Sequence, residues 1–538
     1  MAPTSGGRGG NGGSAGESNA ATGGLPVAEA GAGGSPDAAE CAVNRDCLEL
    51  YGDADPRVCR AQRCEELFST ECPIALPQDG DGWLEYLYPE APKPDPVIQG
   101  AFAFLPPQTP LGNQSRNYEL ALKEFNEVGL PASAGQRRQL VVVVCDQFYD
   151  DTSELRVPLA HLIDRLQVPG ILAALPSDQL QYAIETMAVP KDVLVVSPLD
   201  SDRALASLED DGLAWHLLPG GDYVSATYKP LFQRALSYLR RTRVLGMSED
   251  VKVALVSAKD DRYLSESADT IYHSIRFNGD ASAAENVPNY FKAFEIDSYR
   301  TAPDELHLET INGLVSFGPH VIFGIGADEF LGTIVPGVEA RWAAAHGTRS
   351  KPFYLLSPVH YNNPELGALI AAYPGIQRRM VGVNAASAAD MTLYGQYFER
   401  LVGTFGGEAV GGYENYYDAA YHLFHATAAA GPNANLTGTD LALGIRKLVI
   451  PEGTRFRIHP DDIQAVFSAL AGTINPRLAL QGTMGPPNFD VAKGARADAG
   501  SVFCVGADGT QYPDVLRYQD ENTLSGTFPS SQCFAFDP

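Results

Sequence analysis

The stretch Phe102-Ala-Phe-Leu-Pro-Pro107, followed by Tyr118-Glu-Leu-Ala-Leu-Lys-Glu-Phe-Asn-Glu-Val-Gly-Leu130, decides the fold of this chain. The apolar run 97–105 predicts a first strand, and the prolines after it predict a loop. The segment beyond the loop has one apolar face at helical spacing, formed by Tyr118, Leu122, Phe125 and Val128. A buried strand, a loop and an amphipathic helix are the beginning of an α/β unit.

The alternation of strand and helix continues along the chain. Leu140-Val-Val-Val-Val-Cys-Asp146 is apolar almost throughout, as expected of a parallel strand that is covered on both faces. Such alternation predicts parallel sheets in α/β layers. The other predicted strands are 170–175, 193–197, 251–257, 320–326 and 352–357, and the predicted helices beside the first of them are 153–167 and 177–187.

The alternation is interrupted at Ala214-Trp-His-Leu-Leu-Pro-Gly-Gly-Asp222. Two glycines and a proline follow four strands, so the chain can leave one sheet for another at this point. A long helix is predicted after the break, at about residues 223–242.

Two later segments carry a resemblance to a known family. Tyr416-Tyr-Asp-Ala-Ala-Tyr421 is an aromatic-rich helix start with an Asp beside a Tyr pair, and Gly485-Pro-Pro-Asn-Phe-Asp-Val-Ala-Lys-Gly494 follows it. With these segments and the order of elements over residues 96–510, the chain resembles the type I periplasmic solute-binding proteins. That family includes the leucine/isoleucine/valine receptors of ABC importers, which bind a small molecule between two α/β lobes and do no chemistry on it.

The resemblance implies an α/β fold of two Rossmann-like lobes joined by three crossings, near residues 215–222, 358–380 and 485–500. The chain is expected to return to the first lobe near Met380-Val-Gly-Val-Asn384. Lobe 1 is then predicted to be 96–220 plus 380–490, and lobe 2 to be 221–379 plus 491–538.

Ligands of open α/β sheets bind outside the carboxyl ends of the strands. In this chain the predicted ends are Pro106–Thr109, Pro176–Asp178, Ser197–Asp202, Asp260–Tyr263, Gly326–Glu329 and Ser357–Tyr361.

The resemblance assigns roles to some of these residues. The hydroxyls of Ser177, Ser197 and Ser201 are expected to hold a ligand carboxylate, and Tyr263 with Asp328 or Glu329 its ammonium group. Ser177 and Ser201 are equally good helix N-caps, and Asp260 and Asp261 fit turn positions.

The chain departs from the family pattern at Leu199-Asp200-Ser201-Asp202, where Ala-Thr is common. Asp200 is assigned to the site as well. Acidic side chains here repel a carboxylate, so a cationic, polyol or peptide ligand stays open beside an amino acid.

The charge and hydropathy of the chain exclude some partners. The net charge is −27, which argues against nucleic acid and anionic membrane surfaces and favours solubility. No apolar run reaches the roughly 18 residues needed to span a bilayer.

The N-terminal residues predict an exported protein. The first 40 residues contain 12 glycines and read as a flexible tether. Met1-Ala-Pro-Thr lacks the basic start and apolar core of a signal peptide. A Gly-rich tether before a cysteine-rich segment is typical of the mature end of a periplasmic or cell-surface, lipid-anchored protein. The alternative is a cytosolic protein with a disordered tail, which the cysteines argue against.

The chain has eight cysteines. Cys41, Cys47, Cys59 and Cys64 lie in a segment without histidine, 41–72, which is too short to build a core unaided; two disulfides are favoured there over a zinc site. Cys504 and Cys533 are predicted to pair, and Cys72 with Cys145 is predicted as a clip to the second strand. Such cysteine usage implies an oxidising compartment.

The motifs of common enzymes are missing from the sequence. There is no Gly-x-Ser-x-Gly elbow, no Walker-type Gly-Lys-Ser/Thr and no His-Glu-x-x-His. The glycines of 324–332 are misplaced for a dinucleotide fingerprint, and the ten histidines show no metal spacing. No catalytic residue, metal or cofactor is therefore expected.

Two function classes remain. The first is an exported, monomeric receptor that captures a small polar solute, such as an amino acid, for an ABC transporter permease. The second is a ligand-sensing receptor or scaffold with the same two-lobed fold, which the cysteine-rich segment and the C-terminal extension favour.

Overall fold

A computed structural model describes residues 39–78, 82–90, 93–106, 111–147, 152–297, 304–385, 391–433, 435–529 and 533. The predicted Gly-rich tether, apart from its last two residues, lies outside the described residues, and so does most of the loop Pro106–Thr109.

The first sheet has eight strands, and its central strands are parallel. Val97–Ala103 is buried along its whole length, because both faces of the sheet are covered. The short strand at one edge pairs antiparallel with Leu140–Asp146. In spatial order the strands are Phe489–Asp490, Ala495–Arg496, Ala214–Pro219, Leu194–Ser197, Gly170–Ala173, Val97–Ala103, Leu140–Asp146 and Ile74–Leu76.

The second sheet also has eight strands. The first five in spatial order are parallel, and the last three are antiparallel. The predicted fold class, two α/β lobes, is therefore confirmed. The strands are Phe291–Ile296, Val253–Ala258, Val321–Ile325, Phe353–Leu356, Met380–Asn384, Ser501–Val505, Gln511–Asp520 and Thr523–Gly526.

Helices accompany both sheets. Those with the first sheet are Asn113–Val128, Arg156–Ala160, Ser177–Ala183, Met391–Phe405, Glu414–Ala429, Gly438–Ile445 and Pro460–Gly472. Those with the second are Gly221–Ser225, Tyr228–Arg241, Arg262–Ser274, Ala283–Asn286, Asp304–Phe317, Val335–His346 and Pro364–Ala372. Single π-helical turns continue or precede three of these helices, at His161–Arg165, Ile184–Ala188 and Phe330–Ile334. The single helix predicted at about 223–242 is observed as two helices, Gly221–Ser225 and Tyr228–Arg241.

Short elements complete the described chain. The 3₁₀ turns are Ser133–Gly135, Val189–Lys191, Leu205–Ser207, Pro358–His360, Ile376–Arg379 and Gly406–Glu408. Two-stranded ladders join Leu130–Pro131 with Arg137–Arg138, Arg276–Phe277 with Ala281–Ser282, and Thr454–Arg457 with Leu478–Gln481.

The helix Asn113–Val128 and the aromatic-rich helix Glu414–Ala429 meet in the core of the first lobe. The ring of Phe125 lies 4.9 Å from that of Tyr421. Glu124 accepts hydrogen bonds from Arg400 Nε at 2.8 Å and from the Tyr417 hydroxyl at 2.6 Å. A buried carboxylate is stable when it is paired in this way, so the network joins three helices.

One predicted boundary is wrong. Met380–Asn384 was expected to return to the first lobe, but it pairs in parallel with Phe353–Leu356 in the second sheet. The helix Met391–Phe405 re-enters the first lobe, where Tyr397 and Leu401 join the core. The crossing therefore lies after Asn384 and not within 358–380. The apolar pattern of a strand predicts that the strand is buried, but contacts with residues far away in sequence determine which strand it pairs with.

The other two crossings agree with the prediction. Ala214–Pro219 belongs to the first sheet, whereas Val224, on the next helix, packs in the core of the second lobe. The last crossing lies between Ala495–Arg496, in the first sheet, and Ser501–Val505, in the second. The predicted start of lobe 2 at residue 491 is therefore slightly early.

All eight cysteines form disulfides, so the predicted pairings of Cys72 with Cys145 and of Cys504 with Cys533 are confirmed. The N-terminal pairs are Cys41–Cys59 and Cys47–Cys64. They join the helix Asn44–Tyr51 to a hairpin of Arg57–Arg60 and Arg63–Glu66. A second helix, Gly82–Leu87, follows.

The cysteine-rich segment packs on the first lobe. Val58 and Leu67 share a hydrophobic cluster with Val141 and Val143 of the first sheet. In addition, Arg60 Nε donates to the carbonyl of Leu166 at 2.6 Å. The segment thus covers one face of the first sheet near its edge strand.

Among the described residues, no helix combines the length and apolar character required to cross a membrane.

Candidate functional site

The loops that follow two strands, one in each sheet, meet between the lobes. Leu194–Ser197 leads to Asp200 and Asp202 in the first lobe, and Val253–Ala258 leads to Asp261, Arg262 and Tyr263 in the second. We call these five residues, Asp200, Asp202, Asp261, Arg262 and Tyr263, the inter-lobe cluster. Both loops lie at the carboxyl ends of parallel strands, where ligands of α/β sheets bind.

Asp200 is a half-buried carboxylate held by the first lobe. Its Oδ2 accepts a hydrogen bond from the Ser177 hydroxyl at 2.8 Å. Its backbone N–H donates to Ser197 Oγ at 3.2 Å, which closes the loop. Burial raises the pKa of Asp200 to about 7, and the nearby charge of Asp261 adds to the rise, although hydrogen bonds from Ser177 oppose it.

Asp261 and Tyr263 face Asp200 from the second lobe. Asp261 is the N-cap of the helix Arg262–Ser274, and its Oδ1 accepts from the backbone N–H of Leu264 at 2.8 Å. Burial raises the pKa of Asp261. Burial also raises the pKa of Tyr263, and the next largest causes are the carboxylates of Asp200 and Asp261. Both loops therefore contribute charges that act on the Tyr263 side chain.

The Tyr263 hydroxyl has an unusual environment. Tyr263 is 7% exposed, and its hydroxyl oxygen is buried with no hydrogen-bond partner in the described part of the chain. Buried polar groups in native proteins are normally hydrogen-bonded, and an unpaired one costs about 1–3 kcal/mol. An unpaired, buried hydroxyl where the loops of the two lobes meet therefore indicates a site where another molecule binds.

An arginine connects the two lobes beside this hydroxyl. Arg262 Nη2 donates to Asp202 Oδ1 at 2.9 Å, and Nη1 donates to Gln181 Oε1 at 2.9 Å. Arg203, on the first lobe, pairs with Glu266 of the second at 3.1 Å. These ion pairs hold the loops of the two lobes together, so the structure has a closed cleft at this point.

A small pocket continues from the cluster towards the crossings. Its wall includes Ser201, Asp202, Arg203, Asp222 and Lys493. The hydroxyl of Ser201, a residue 1% exposed, has no hydrogen-bond partner among the described residues. The pocket therefore presents one more unpaired polar group to its interior.

The structure brings together only some of the residues predicted for the site. Ser177, Ser197, Asp200, Ser201 and Tyr263 lie in or beside the inter-lobe cluster. Ser177 and Ser197 are already bound to Asp200, so neither hydroxyl is directed to a ligand carboxylate. The alternative role as helix N-caps does not hold for Ser177, because Pro176 occupies that position.

The two acidic residues predicted on the second lobe differ from each other. Asp328 is exposed, and its Oδ1 accepts from Asn363 Nδ2, which places it outside the cluster. Glu329 is half-buried and accepts from the backbone N–H of Ala327 at 2.8 Å. Burial raises the pKa of Glu329, and a smaller contribution from Asp260 places it near the rim of the cluster.

Sequence reasoning missed Asp202, Asp261 and Arg262 as site residues. Asp261 read as a turn residue, and it is indeed a cap, but its position after a parallel strand was a usable signal. The bridge from Arg262 to Asp202 had no sequence signal, because it joins loops of different lobes.

The Asp beside the Tyr pair has a structural role. Asp418 is 1% exposed and accepts hydrogen bonds from the backbone N–H groups of Thr483 and Met484, at 3.2 and 3.1 Å. Burial raises the pKa of Asp418 to about 6, although these hydrogen bonds oppose the rise. Both oxygens are committed to the loop before the last crossing. Tyr416, by contrast, lies close enough to Asp200 for that charge to raise its pKa slightly, after burial and Tyr413.

No metal site is available in the described residues. The one group of side chains spaced for a metal ion there is Cys41, Cys47 and Cys64, and each of these sulfurs is in a disulfide.

Comparison with solved structures identifies the fold. The chain matches the leucine binding protein LivK from Thermotoga maritima MSB8 with a TM-score of 0.51 and 15% identity, over 81% of this chain and 99% of that one. Two provisionally assigned proteins match similarly. A branched-chain amino acid ABC transporter from Silicibacter pomeroyi has a TM-score of 0.51 and 13% identity, over 82% and 100% of the two chains. A leucine/isoleucine/valine-binding protein from Rhodopirellula baltica SH 1 has 0.50 and 12%, over 78% and 95%.

No protein-family model and no curated protein matches the sequence. At 12–15% identity the structural likeness extends to the fold alone. The chain has the two-lobed fold of the type I periplasmic binding proteins, and its inter-lobe cluster lies at the carboxyl ends of the strands.

Proposed function

We propose that this chain is an extracytoplasmic solute-binding protein, which captures a small polar molecule between its two lobes and delivers it to the permease of an ABC importer. The observation that carries the proposal is the unpaired, buried hydroxyl of Tyr263, whose neighbour Arg262 donates to Asp202 of the first lobe at 2.9 Å. A ligand at this point contacts both lobes, which is what couples binding to closure.

The cellular location is part of the proposal. Four disulfides, including both in the cysteine-rich segment, are stable in an oxidising compartment and rare in the cytosol. The match to solute-binding proteins of ABC transporters supports the same location and the same kind of partner.

A ligand-sensing receptor or scaffold is the second candidate. It is favoured by the cysteine-rich segment and by the hairpin of Gln511–Asp520 and Thr523–Gly526, which widens the second sheet. Cells that lack the protein distinguish the two functions. Loss of ligand uptake supports transport, whereas unchanged uptake with an altered response to the ligand supports sensing.

Ligand capture is tested by native mass spectrometry of the freshly purified protein, followed by identification of any molecule released on denaturation. We expect one small polar compound at one molecule per chain. Tyr263→Phe, which removes only the hydroxyl, should weaken its binding about 3- to 10-fold through the loss of one hydrogen bond.

The matched control is Tyr272→Phe on the same helix, whose ring packs against Phe291 of the second sheet at 5.5 Å. It should leave affinity unchanged. Equal losses in both variants would assign the effect to the helix and not to the cleft, and a protein without any bound or bindable small molecule would contradict the proposed function.

A further inference from the structure

We propose that the cleft binds a small organic cation without a carboxylate group, such as an amine or a guanidinium compound, with its positive charge between Asp200 and Asp261. The inference rests on the proposed function and names the class of its ligand. Of the ligands that the sequence left open beside an amino acid, it selects the cation.

The side chain of Asp200 already occupies the position expected for a ligand carboxylate. Its Oδ2 accepts from the Ser177 hydroxyl at 2.8 Å, at the beginning of the helix Ser177–Ala183. Ser197, the second predicted donor, is engaged by the backbone of Asp200. A second carboxylate placed here would meet a like charge, and of the three predicted serine donors only Ser201 has an unpaired hydroxyl among the described residues.

Two acidic groups in or beside the cluster have a cationic partner. Asp202 is neutralised by Arg262, and Glu266 by Arg203. For Asp200 and Asp261 the described residues provide no lysine or arginine partner. The charge of Asp261 raises the pKa of Asp200, and the hydrogen bond of 2.9 Å from Arg262 to Asp202 holds their two loops together. Two carboxylates that share a site stabilise an added cation, because it relieves their repulsion.

The Tyr263 hydroxyl lacks a hydrogen-bond partner. Tyr263 is more than nine-tenths buried, its hydroxyl is unpaired among the described residues, and the charges of Asp200 and Asp261 raise its pKa. An ammonium or guanidinium group has only N–H donors, so it needs several acceptors that converge on it. The Tyr263 oxygen and the carboxylates of Asp200 and Asp261 provide acceptors from both lobes.

The experiment compares amines with their carboxylate-bearing counterparts by thermal shift and isothermal titration at pH 8.5, on the full chain stripped of ligand. One set is 3-methylbutan-1-amine, leucine and 4-methylpentanoate, and another is 4-guanidinobutan-1-amine and arginine. Butane-1,4-diamine and glycerol complete the panel as a dication and a neutral polyol. We expect binding by at least one amine, with the matching amino acid at least 10-fold weaker and no binding of 4-methylpentanoate.

Variants then locate the charge. Asp261→Asn preserves the helix cap, because Asn caps as well as Asp, yet removes the charge. Asp261→Asn and Asp200→Asn should each weaken the bound cation about 10- to 100-fold, as expected for loss of a charge-assisted hydrogen bond. Asp280→Asn removes the same charge from an exposed position of the second lobe and should leave affinity unchanged.

Each outcome decides the inference. Tighter binding of leucine, arginine, 4-methylpentanoate or glycerol than of every amine overturns it but leaves the proposed function standing. Equal losses in Asp280→Asn and the two cluster variants also overturn it, because they reveal a diffuse effect of net charge. If no compound of any charge binds, and the purified protein carries none, the inference and the proposed function fail together.

Discussion

Glu339 and Asp200 are both acidic groups withdrawn from solvent, but their surroundings are opposite. Glu339, 4% exposed in the second lobe, accepts from Arg379 at 2.8 and 3.0 Å, from Lys351 at 2.9 Å and from the Tyr354 hydroxyl at 2.8 Å. Burial acts to raise its pKa, but these partners together hold the pKa below the usual value. Asp200 has one hydroxyl donor and two acidic neighbours, and its pKa is raised to about 7.

The difference distinguishes a structural carboxylate from one that faces a ligand. A buried charge in the core is stable only if its partners are built into the chain. Asp200 is left with repulsion in the ligand-free protein, which costs stability and is relieved when a cation arrives. The free energy recovered when this repulsion is relieved adds to the affinity for the ligand.

The largest expected effect is at the paired carboxylate. Arg379→Ala should lower the free energy of unfolding by about 2–4 kcal/mol, because it leaves Glu339 buried with Lys351 as its one remaining cation. Chemical denaturation at pH 7 measures the loss. Arg378→Ala, the exposed neighbour, is the control and should change stability little. A small loss at Arg379 would break the comparison, since Glu339 would then not depend on its built-in cations.

The next effect has the opposite sign. Asp200→Asn should raise the free energy of unfolding of the ligand-free protein at pH 8 by about 1–3 kcal/mol, because it removes a carboxylate whose ionisation the fold opposes. The folded pKa of about 7 lies above the usual value of 3.8, so the wild type binds this proton more tightly when folded. Its contribution to stability is complete below the unfolded pKa and is lost as the pH rises through 7.

The advantage of Asp200→Asn should therefore shrink steadily between pH 8 and pH 4. Urea denaturation of both proteins at each pH follows it. A constant difference across this range, or a destabilised variant at pH 8, would mean that Asp200 is paired in solution and is a structural group like Glu339.

The pH dependence of ligand affinity is the third test. Since a cation prefers ionised Asp200, its affinity should fall below pH 7, by up to tenfold for each pH unit from this group. The groups that face Asp200 are Ser177, Asp202, Asp261, His216, Tyr263 and Tyr416. Among the carboxylates, Asp261 also has a raised pKa, so its ionisation should add to the slope of affinity against pH. Isothermal titration from pH 5.5 to 8.5 measures it. Asp200→Asn should flatten the profile, and an unchanged profile in that variant would assign the slope to other groups.

The smallest effect concerns lobe closure. Arg262→Gln removes an ion pair between lobes, but Gln keeps an N–H donor for Asp202 and the arginine side chain is 35% exposed, so the expected cost is about 0.2–1 kcal/mol. The ligand-free protein should then be more open, with a larger radius of gyration in small-angle X-ray scattering. Lys259→Gln breaks a pair with Asp297, within the second lobe, and serves as the control. Identical scattering from both variants would show that Arg262 does not hold the lobes together.

Local sequence was sufficient for the elements of the fold. The run Leu140–Asp146 was predicted at its observed bounds, because seven residues with one charge at the end can only be a strand covered on both faces. The pairs Cys72–Cys145 and Cys504–Cys533 were predicted from their positions along the chain, whereas spacing does not determine which of the first four cysteines pair. The strand depends on its local apolar pattern, and each of the two later pairs had one partner to choose.

The tertiary structure alone decided where those elements lie and which side chains meet. The strand Met380–Asn384 gives the same apolar pattern whichever sheet it joins, and its place beside Phe353–Leu356 is set by packing across the lobe. Ser177 is a credible ligand donor until folding places Asp200 at 2.8 Å from its hydroxyl. Hydrogen bonds and charge repulsion act over a few ångströms, so the character of the cleft was undetermined until the two loops of different lobes had been brought together.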